Sequence, residues 1–493
     1  MTPKTVQAPN LKVLPSSLYP IIDGNHITST TGGEIDHIYA ATGKPTTKVP
    51  LAGAEEIDNA VKSAQAALKT WKKVSASQRA EMMRRFAQLM EKNRESLSEL
   101  GTLENGTAIS TSKGNVMGGR EAVVYNAGWT DKLSGELIPL GHLQAFSYTL
   151  HEPFGVILNI LPFNSPLAQF CSITTCALAA GNCVVIKPSS STPFSSIRYG
   201  ELLLDAGFPP GVINIVPTDE KGGEILCSHP GINKIQLTGG VPTARKVMAL
   251  AAKNITPVAF ELGGKSPTII FDDVDPKEAV NFFIGSLIRN AGQSCGKGAR
   301  VLVQSGIYEK VIELTKVTAE KVSVGDPRLE TTDIGAVLSK SKCETVMGFI
   351  ERAKKSGDCR LITGGERLGN ELADGYFIAP TIFADVNPGT ELFTEEIFGP
   401  VLTFTEFETE EEAIGLANDT KYGLAGFLAT NDLKRAHRVS AQVEAGFIIV
   451  NQPAGPSPAF PTGGYKQSGF GRIGGIEGIR EFTQTKSIRI PLG

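Results

Sequence analysis

Two residues of this sequence have a type and a setting that suit covalent chemistry. Cys295 lies in a loop, Asn290 to Gly296, whose residues are mostly small, so a substrate can reach its thiol. Glu261 ends a short apolar run and is followed by Leu262 and two glycines. Glu261 ends the last predicted strand of one α/β segment of the chain, and Cys295 lies in a loop between a predicted helix and strand of the next segment. We therefore expect them to face each other across a domain interface, where ligand sites concentrate. The other six cysteines are expected to be inert small hydrophobes.

A second set of candidate residues follows the apolar runs of residues 153–262. It consists of turn residues, two polar side chains, a lysine and paired glycines. Each turn alone is typical of an ordinary strand-to-helix connection, and no GxGxxG motif is present. Glycines let the backbone approach a pyrophosphate, and a helix that begins near Pro242 would point its N-terminus at it. Four such turns in register favour a nucleotide site, at Pro162-Phe163-Asn164, Lys187-Pro188-Ser189-Ser190, Thr238-Gly239-Gly240 and Gly263-Gly264.

The elements that would position these residues alternate between strand-like and helix-like stretches. The predicted strands are 155–160, 183–186, 213–216, 234–237 and 258–262, and the predicted helices between them are 167–180, 195–206, 223–227 and 242–253. Continuous apolar strands separated by helices predict a parallel sheet covered on both faces. Right-handed crossovers then bring the carboxyl ends of all strands to one edge.

A second α/β block follows. Its predicted strands are 268–271, 299–303, 401–407, 424–429 and 447–450, and its predicted helices are 276–290, 307–322, 410–417 and 433–443. Before the first block, residues 54–98 predict two packing helices, the second beginning with a capping box of Ser75 and Gln78. We assign no chemistry to this region.

Composition excludes several classes of protein. The 493 residues carry a net charge of −3, which gives no support for binding nucleic acid or an anionic membrane. We expect no membrane span and, from the polar Met1–Asn10, no secretory signal. Seven cysteines without CxxC pairs and six scattered histidines argue against disulfides and metal sites, so a cytoplasmic location is favoured.

Six motifs together resemble the NAD(P)-dependent aldehyde dehydrogenase superfamily over nearly the whole chain. Glu261 and Cys295 are 34 positions apart, which is the family spacing. The resemblance implies a Rossmann-type nucleotide domain, an α/β catalytic domain and a β oligomerisation arm. The motifs are Glu261-Leu-Gly-Gly-Lys265, Gly292-Gln-Ser-Cys295, Glu395-Glu-Ile-Phe-Gly-Pro-Val401, Pro162-Phe-Asn164, Ile186-Lys-Pro188 and Gly463-Gly-Tyr-Lys-Gln-Ser-Gly469.

The resemblance implies roles for three catalytic residues. The thiolate of Cys295 would attack the aldehyde and form a thiohemiacetal. The side-chain amide of Asn164, with the backbone N–H of Cys295, would stabilise the oxyanion. After hydride transfer to NAD or NADP leaves a thioester, Glu261 would be the general base for its hydrolysis.

The resemblance also implies a cofactor site. Lys187 would contact the adenosine ribose, Glu396 the nicotinamide ribose, and Phe398 would lie beside the ring. The predicted cofactor-binding residues are Pro162, Phe163, Lys187, Ser190, Thr238, Gly239, Gly240, Leu262, Glu396 and Phe398. Members that prefer NAD often carry a glutamate where this chain has Ser190. A hydroxyl can bond a 2′-phosphate that a carboxylate would repel, so NADP should be tolerated.

Other departures from the family bear on deacylation and on the substrate. Ile173 and Ile473 replace a lysine and a glutamate that often form a polar pair, which leaves Glu261 as the only obvious base. Ser172 replaces the arginine of succinic-semialdehyde enzymes. Gly118, Gly119 and Ala122 are small, and the loop 452–456 lacks aromatic residues, so we expect a bulky or aromatic aldehyde.

Three alternative functions remain open. A CoA-acylating semialdehyde dehydrogenase usually lacks the base glutamate, so Glu261 argues against it. A nonenzymatic structural recruit of the fold would not need Cys295, Glu261, Asn164 and Glu396 intact. A thiol esterase would need no nicotinamide.

The resemblance divides the chain into three parts. The predicted nucleotide domain covers 1–132 and 153–262, the catalytic domain 263–466, and the arm with the C-terminal segment 133–152 and 467–493. The alternation of Phe146–Glu152 and the strand-like Thr485–Ile490 predict ribbons that need a partner. We expect a homodimer or homotetramer in which such segments pair between subunits.

Overall fold

The computed structural model describes residues 6–141, 143–452 and 457–492. Its strands, in chain order, are β1 Ile21–Ile22, β2 Asn25–His26, β3 Glu34–Tyr39, β4 Lys44–Pro50, β5 Ala145–Pro153, β6 Val156–Ile160, β7 Cys183–Lys187, β8 Ile213–Ile215, β9 Lys234–Thr238, β10 Val258–Glu261, β11 Pro267–Ile270, β12 Arg300–Gln304, β13 Arg360–Thr363, β14 Thr381–Ala384, β15 Val401–Phe407, β16 Ala425–Ala429, β17 Phe447–Val450, β18 Gly469–Phe470 and β19 Thr483–Pro491.

Its α-helices are α1 Ala54–Trp71, α2 Ala76–Lys92, α3 Arg94–Asn105, α4 Ile109–Ala127, α5 Pro166–Ala179, α6 Phe194–Asp205, α7 Glu220–Cys227, α8 Val241–Ala251, α9 Pro276–Phe283, α10 Gly285–Ile288, α11 Tyr308–Ala319, α12 Lys340–Ser356, α13 Glu391–Thr394, α14 Glu410–Asn418, α15 Leu433–Ser440 and α16 Gly475–Arg480. Short 3-10 turns cover Leu11–Val13, Ala252–Asn254, Arg289–Gly292, Ser305–Ile307, Asn370–Leu372 and Lys466–Ser468.

The first large sheet has the strand order β18-β10-β9-β6-β7-β8-β1-β2. Strands β6 to β10 are parallel, and β1, β2 and β18 join antiparallel at the edges. The parallel strands are almost wholly buried, as predicted, and in β9 this includes the polar residues Lys234 and Gln236. Chain order reverses between β6 and β9, and a parallel sheet forms a ligand crevice beyond the carboxyl ends of its strands at such a point.

The second large sheet has the order β13-β14-β15-β12-β11-β16-β17, parallel except for β13. The chain passes from β10 to β11 through the short segment Leu262–Ser266. As a result, the carboxyl edge of the first sheet lies next to the amino edge of the second. This confirms the predicted α/β fold with two sheets.

One predicted element matches the structure closely, and another differs from it. The capping box that starts α2 is present, with Gln78 N–H donating to Ser75 Oγ at 3.3 Å. The single helix predicted over 276–290 is wrong, because the chain breaks into α9 and α10 and then turns left-handed at Asn290 and Ala291. The Asn290 side chain at the left-handed turn is held by tertiary hydrogen bonds to Ser165 and Thr107, which sequence periodicity does not reveal.

The arm is the strand β5, which pairs antiparallel with β19 of the same chain from Pro153↔Thr483 to Ala145↔Pro491. The expectation that the C-terminal segment pairs with this arm between subunits is therefore wrong. The start of β19 is held beside the first sheet, because Asn182 Nδ2, directly before β7, donates to the Phe482 carbonyl oxygen at 2.9 Å. The predicted unit 467–493 is divided in the structure, because Gly469–Phe470 pairs with β10 instead.

Candidate active site

The candidate site lies where the two sheets meet edge to edge. Glu261 is the last residue of β10, at the carboxyl edge of the first sheet. Cys295 precedes β12, at the amino edge of the second sheet. The Leu262–Ser266 segment joins these edges, and a Cβ atom at Gly264 would lie 2.7 Å from the Cys295 carbonyl oxygen. A glycine is therefore needed for the two segments to approach this closely.

Cys295 is partly exposed, and its side chain packs beside Leu424, Ala425 and Phe447 at the starts of β16 and β17. Burial of the thiol raises its pKa to about 12, and the carboxyls of Glu396 and Glu261 add to the rise. The thiol is therefore the resting form at neutral pH. Attack on a substrate needs the proton to leave as the reaction begins.

The loop that carries Cys295 packs against a second loop through Gly292. Gly292 has φ = +71°, and a Cβ atom there would lie 2.0 Å from the Gly399 carbonyl oxygen. Both the backbone conformation and the space therefore require glycine. This contact fixes the nucleophile loop against the segment that carries Glu396 and Phe398.

Asn164 follows β6 and is buried, with 8% of its surface exposed. Its Nδ2 donates to the carbonyl oxygen of Gln293 at 2.9 Å, two residues before Cys295. Asn105 Nδ2 donates to the carbonyl oxygens of Asn164 and Phe163 at 3.3 and 3.4 Å. One N–H of the Asn164 amide is thus used to fix its position, and an amide nitrogen carries a second.

Glu261 is 8% exposed, and its Oε1 has no hydrogen-bond partner among the described residues. Burial raises the pKa of this carboxyl well above its usual range, Arg472 opposes the rise and Glu481 adds to it. A buried carboxyl with an unpartnered oxygen and a raised pKa has the chemistry of a general base.

The residues predicted for the nucleotide follow the carboxyl ends of the parallel strands on both sides of the switch point. Lys187 ends β7, and a Cβ atom at Gly223 would lie 3.0 Å from its Cε, so the glycine leaves room for the lysine stem. Burial lowers the Lys187 pKa. Ser190 is partly exposed nearby in the chain. Thr238 Oγ1 is buried without a partner among the described residues.

The first turn of α8 opens onto the same edge of the sheet. Gly239 N–H donates to the Glu261 carbonyl oxygen at 3.0 Å, which ties the ends of β9 and β10 together. Gly240 caps α8 without a side chain, and beyond its sequence neighbours a Cβ atom there would meet only Pro242, at 3.7 Å. The N–H groups of the first helical turn are therefore accessible to an anion.

Glu396 lies against the linker between the sheets. Its Oε1 accepts from Gly264 N–H at 3.1 Å, and a Cβ atom at Gly263 would lie 2.2 Å from its Oε2. Burial raises its pKa to about 7, while this N–H and the ammonium groups of Lys297 and Lys265 oppose the rise.

Phe398 has φ = +56° and packs edge-on against Phe163, with ring centroids 5.7 Å apart. Phe163 in turn lies 5.6 Å from the Lys342 ammonium. Pro162, two residues before Asn164, is partly exposed on the same loop. These contacts bring the segment after β6 and the Glu396–Phe398 segment to one side of the crevice.

Leu262 is buried, and its N–H donates to the Ser468 carbonyl oxygen at 3.0 Å. Ser468 Oγ also donates to the Gly263 carbonyl oxygen at 2.7 Å. The motif Gly463–Gly469 therefore supports the linker behind Glu261. Its function in the site was not predicted from sequence.

Sequence reasoning also missed Asn105, Gln293 and Lys297. Gln293 Oε1 accepts from Leu338 N–H at 3.1 Å, and buried Lys297 donates to the carbonyl oxygens of Gly399 and Val401. Burial lowers the Lys297 pKa to about 7. A lysine two positions after the candidate nucleophile was the available signal, but its partners come from a distant part of the chain.

Some predicted pocket residues serve packing instead. A Cβ atom at Gly119 would lie 3.2 Å from the Leu167 carbonyl oxygen and 3.3 Å from Cys171 Sγ, so Gly119 lets α4 approach α5. Ala122 is buried, whereas Gly118 borders open space. Ile173 is fully buried, and Ile473 packs on the same core cluster. Residues 453–456 of the predicted pocket loop lie outside the described residues.

Two further findings concern metals and membranes. Among the described residues, no group of three or more histidine, cysteine or acidic side chains could hold a metal ion. In the same ranges, no helix has the length and apolar character to cross a bilayer.

Comparison with known proteins places this site in a family. Residues 26–488 match the aldehyde dehydrogenase family. An aldehyde dehydrogenase-like protein of Schizosaccharomyces pombe is 42% identical over 446 residues, which are 90% of this chain and 89% of that protein. The NAD⁺ complex of an aldehyde dehydrogenase from Bacillus cereus aligns with a TM-score of 0.95 and 35% identity, covering 99% of this chain and 100% of that one. A variant of betaine aldehyde dehydrogenase from Staphylococcus aureus, also bound to NAD⁺, aligns with a TM-score of 0.93 and 34% identity, covering 96% and 97%. The chain therefore belongs to the aldehyde dehydrogenase family.

Proposed function

We propose that this enzyme oxidises a bulky or aromatic aldehyde to its carboxylic acid with NAD⁺ or NADP⁺, using Cys295 as the nucleophile. The observation that carries the proposal is the convergence of Cys295, Asn164 and Glu261 where the two sheets meet, with the nucleotide crevice alongside. Each side chain has the chemistry that one step of aldehyde oxidation needs.

In the first step, Cys295 Sγ forms a bond to the aldehyde carbon and loses its proton to solvent or a nearby base. The carbonyl oxygen gains negative charge, and the free N–H of the Asn164 amide donates to it. The bond from Asn164 Nδ2 to the Gln293 carbonyl keeps the amide beside the nucleophile loop. This alignment lowers the barrier because no reorientation is needed during the reaction.

A bound NAD(P)⁺ would supply the acceptor for the hydride that leaves the thiohemiacetal carbon. A thioester then remains on Cys295. Glu261 accepts a proton from water as the water oxygen attacks the thioester carbon. The C–S bond then breaks, the acid leaves, and the proton held by Glu261 returns to Cys295 Sγ to restore the thiol. The unpartnered Oε1 of Glu261 is free to accept that proton.

The residues around the crevice fit a dinucleotide. The open N-terminal turn of α8 and the side-chain-free Gly240 suit the pyrophosphate. Lys187 would hold the adenosine ribose, and the unpartnered Thr238 Oγ1 offers a further polar contact. Glu396, fixed by Gly264 N–H, would accept from the nicotinamide ribose. Ser190 adds no negative charge near a 2′-phosphate, which supports use of NADP⁺ as well as NAD⁺.

An aromatic wall supports the substrate assignment. Phe447 Cζ would lie 3.8 Å from a Cβ atom at Gly296, directly after the nucleophile, and Phe460 packs edge-on against Phe447 with centroids 6.2 Å apart. Phe460 is 39% exposed, so its ring is partly available to a ligand.

The test is a panel of aliphatic and aromatic aldehydes assayed with NAD⁺ and NADP⁺ separately, with NAD(P)H absorbance as the readout. We expect the highest kcat/KM for bulky or aromatic aldehydes and a free acid as the product. Acyl-CoA formed only when CoA is added would instead indicate the CoA-acylating alternative. Cofactor-free ester turnover without aldehyde oxidation would indicate a thiol esterase, and no turnover at all a structural recruit.

The exposed face of the arm supports a homodimer or homotetramer. Phe146, Leu150 and Ile490 are about half exposed and lie on one face of the β5–β19 ribbon. A two-fold dimer would cover this face with the same face or another surface of a second copy.

Within the described residues all seven cysteines are unpaired, which supports a reducing compartment such as the cytoplasm.

A further inference from the structure

The segment that leads into the nucleophile loop has an unusual backbone. Asn290, Ala291 and Gly292 have φ of +51°, +53° and +71°. Glycine adopts this left-handed region freely and asparagine tolerates it, whereas alanine is strained there. Such a segment persists only where the surrounding contacts determine its conformation.

Those contacts come largely from the side chain of Asn290, which is 3% exposed. Its Nδ2 donates to Ser165 Oγ at 2.8 Å, and its Oδ1 accepts from Thr107 Oγ1 at 3.2 Å. Its carbonyl oxygen accepts from Gln293 Nε2 at 3.1 Å. Asn290 is thus hydrogen-bonded to Ser165, which follows Asn164, and to Gln293, which lies two positions before Cys295.

The short stretch 105–107, which contains Thr107, also forms hydrogen bonds to the segment that contains Asn164. Asn105 Nδ2 donates to the Asn164 carbonyl oxygen at 3.3 Å, and Thr107 N–H donates to Asn105 Oδ1 at 3.0 Å. Residues 105–107 therefore contact both the oxyanion donor's segment and the nucleophile's segment. The bond from Asn164 Nδ2 to the Gln293 carbonyl closes this ring of hydrogen bonds.

We propose that Asn290 is a positioning residue, which aligns the Asn164 amide with Cys295 through its side-chain bonds to Ser165 and Thr107. The inference rests on the proposed function, because it assigns the oxyanion contact to Asn164. Asn290 itself touches neither substrate nor cofactor in this assignment.

The variant Asn290→Gly separates hydrogen bonding from backbone strain. Glycine keeps the left-handed conformation accessible and removes both side-chain bonds. Asn126→Ala is the matched control, since buried Asn126 Nδ2 donates to Thr175 Oγ1 at 2.8 Å between α4 and α5. Each variant deletes a buried asparagine side chain that is bonded to a threonine hydroxyl.

The two readouts are aldehyde turnover and the rate at which iodoacetamide alkylates Cys295. Alkylation needs the thiolate but develops no oxyanion, so it does not depend on the Asn164 amide. For Asn290→Gly we expect kcat to fall about 10- to 100-fold, because displacement of reacting groups by about 1 Å has an effect of that order. The aldehyde KM and the alkylation rate should change no more than about threefold, because neither requires the aligned oxyanion donor.

A double variant tests the pathway. Ser165→Ala removes the hydroxyl that accepts the bond from Asn290 Nδ2. Because Asn290→Gly has already removed that bond, Ser165→Ala in this background should cause no further loss of kcat. For Asn126→Ala we expect kcat and alkylation to stay within about threefold of the original protein, because that bond lies outside the ring.

Two results would overturn the inference. One is a folded Asn290→Gly variant with unchanged kcat, and the other is an equal loss of kcat and alkylation, which would indicate general disruption of the loop. Absence of aldehyde turnover in the unsubstituted protein is a different outcome and would overturn the proposed function itself.

Discussion

Replacing Glu261 with glutamine should separate the two halves of the reaction. Glutamine has nearly the same shape but cannot accept a proton from water. Hydride transfer does not use Glu261, so one equivalent of NAD(P)H per active site should form rapidly. Thioester hydrolysis should then be slow, by about 10²- to 10⁴-fold, which is the contribution of a positioned general base.

The structure also predicts the pH dependence of hydrolysis. Burial raises the pKa of Glu261, so its carboxylate form appears only at pH values above those usual for glutamate. Below that pKa the residue is protonated and cannot act as a base. Steady-state turnover of the original enzyme should therefore rise with pH, and turnover of the Glu261→Gln variant should not show this rise.

The same shift indicates that the variant will fold. A carboxyl whose pKa is higher in the folded state binds more protons there than in the unfolded chain. Its ionisation therefore lowers the free energy of unfolding as pH rises above the unfolded pKa. Glutamine removes this penalty, so the Tm at neutral pH should not fall.

Stopped-flow measurement of NAD(P)H formation gives both the burst and the steady-state rate. Glu481→Gln is the control, because the Glu481 carboxylate raises the pKa of Glu261 and bonds to Lys234 and to Arg472 N–H. It should retain turnover, and the rise of turnover with pH should occur at lower pH. If the Glu261→Gln variant turned over at close to the original rate and with the original pH dependence, Glu261 would be refuted as the base.

Four further variants test the site and the assembly. Cys295→Ala should abolish oxidation while nucleotide binding, measured by calorimetry, is retained; turnover in a folded Cys295→Ala protein would exclude it as the nucleophile. Gly263→Ala should displace Glu396, whose Oε2 would lie 2.2 Å from the added Cβ, and weaken nucleotide binding about tenfold or more, since hydrogen bonds to charged groups contribute roughly 1.5–3 kcal/mol. Ser190→Glu should weaken binding of NADP⁺ relative to NAD⁺ at least about tenfold by repulsion of the 2′-phosphate, and an unchanged ratio would remove Ser190 from the site. Deletion of the residues after Gln484 removes most of β19 and should reduce assembly in sedimentation experiments; a full-length protein that is an active monomer at micromolar concentration would contradict the proposed oligomer.

The sequence by itself determined the two-block α/β architecture. The runs that became β6, β7 and β10 are mostly apolar, and such runs separated by helices predict the buried parallel strands of an α/β sheet. The motifs around Glu261 and Cys295 are local and specific, so they carry the resemblance to aldehyde dehydrogenases, and that resemblance implied the nucleophile, oxyanion and base candidates.

Tertiary structure decided what holds those residues in place. The side chains of Asn290, Glu396 and Asn164 are hydrogen-bonded to residues more than a hundred positions away, and hydrogen bonds over such separations leave no periodic signal in the sequence. The same reason explains why the helix predicted to Asn290 ends early. It also explains why Gly119 is a packing residue and why β19 pairs with β5 of its own chain: close approach of distant backbones depends on the folded geometry and not on local propensity.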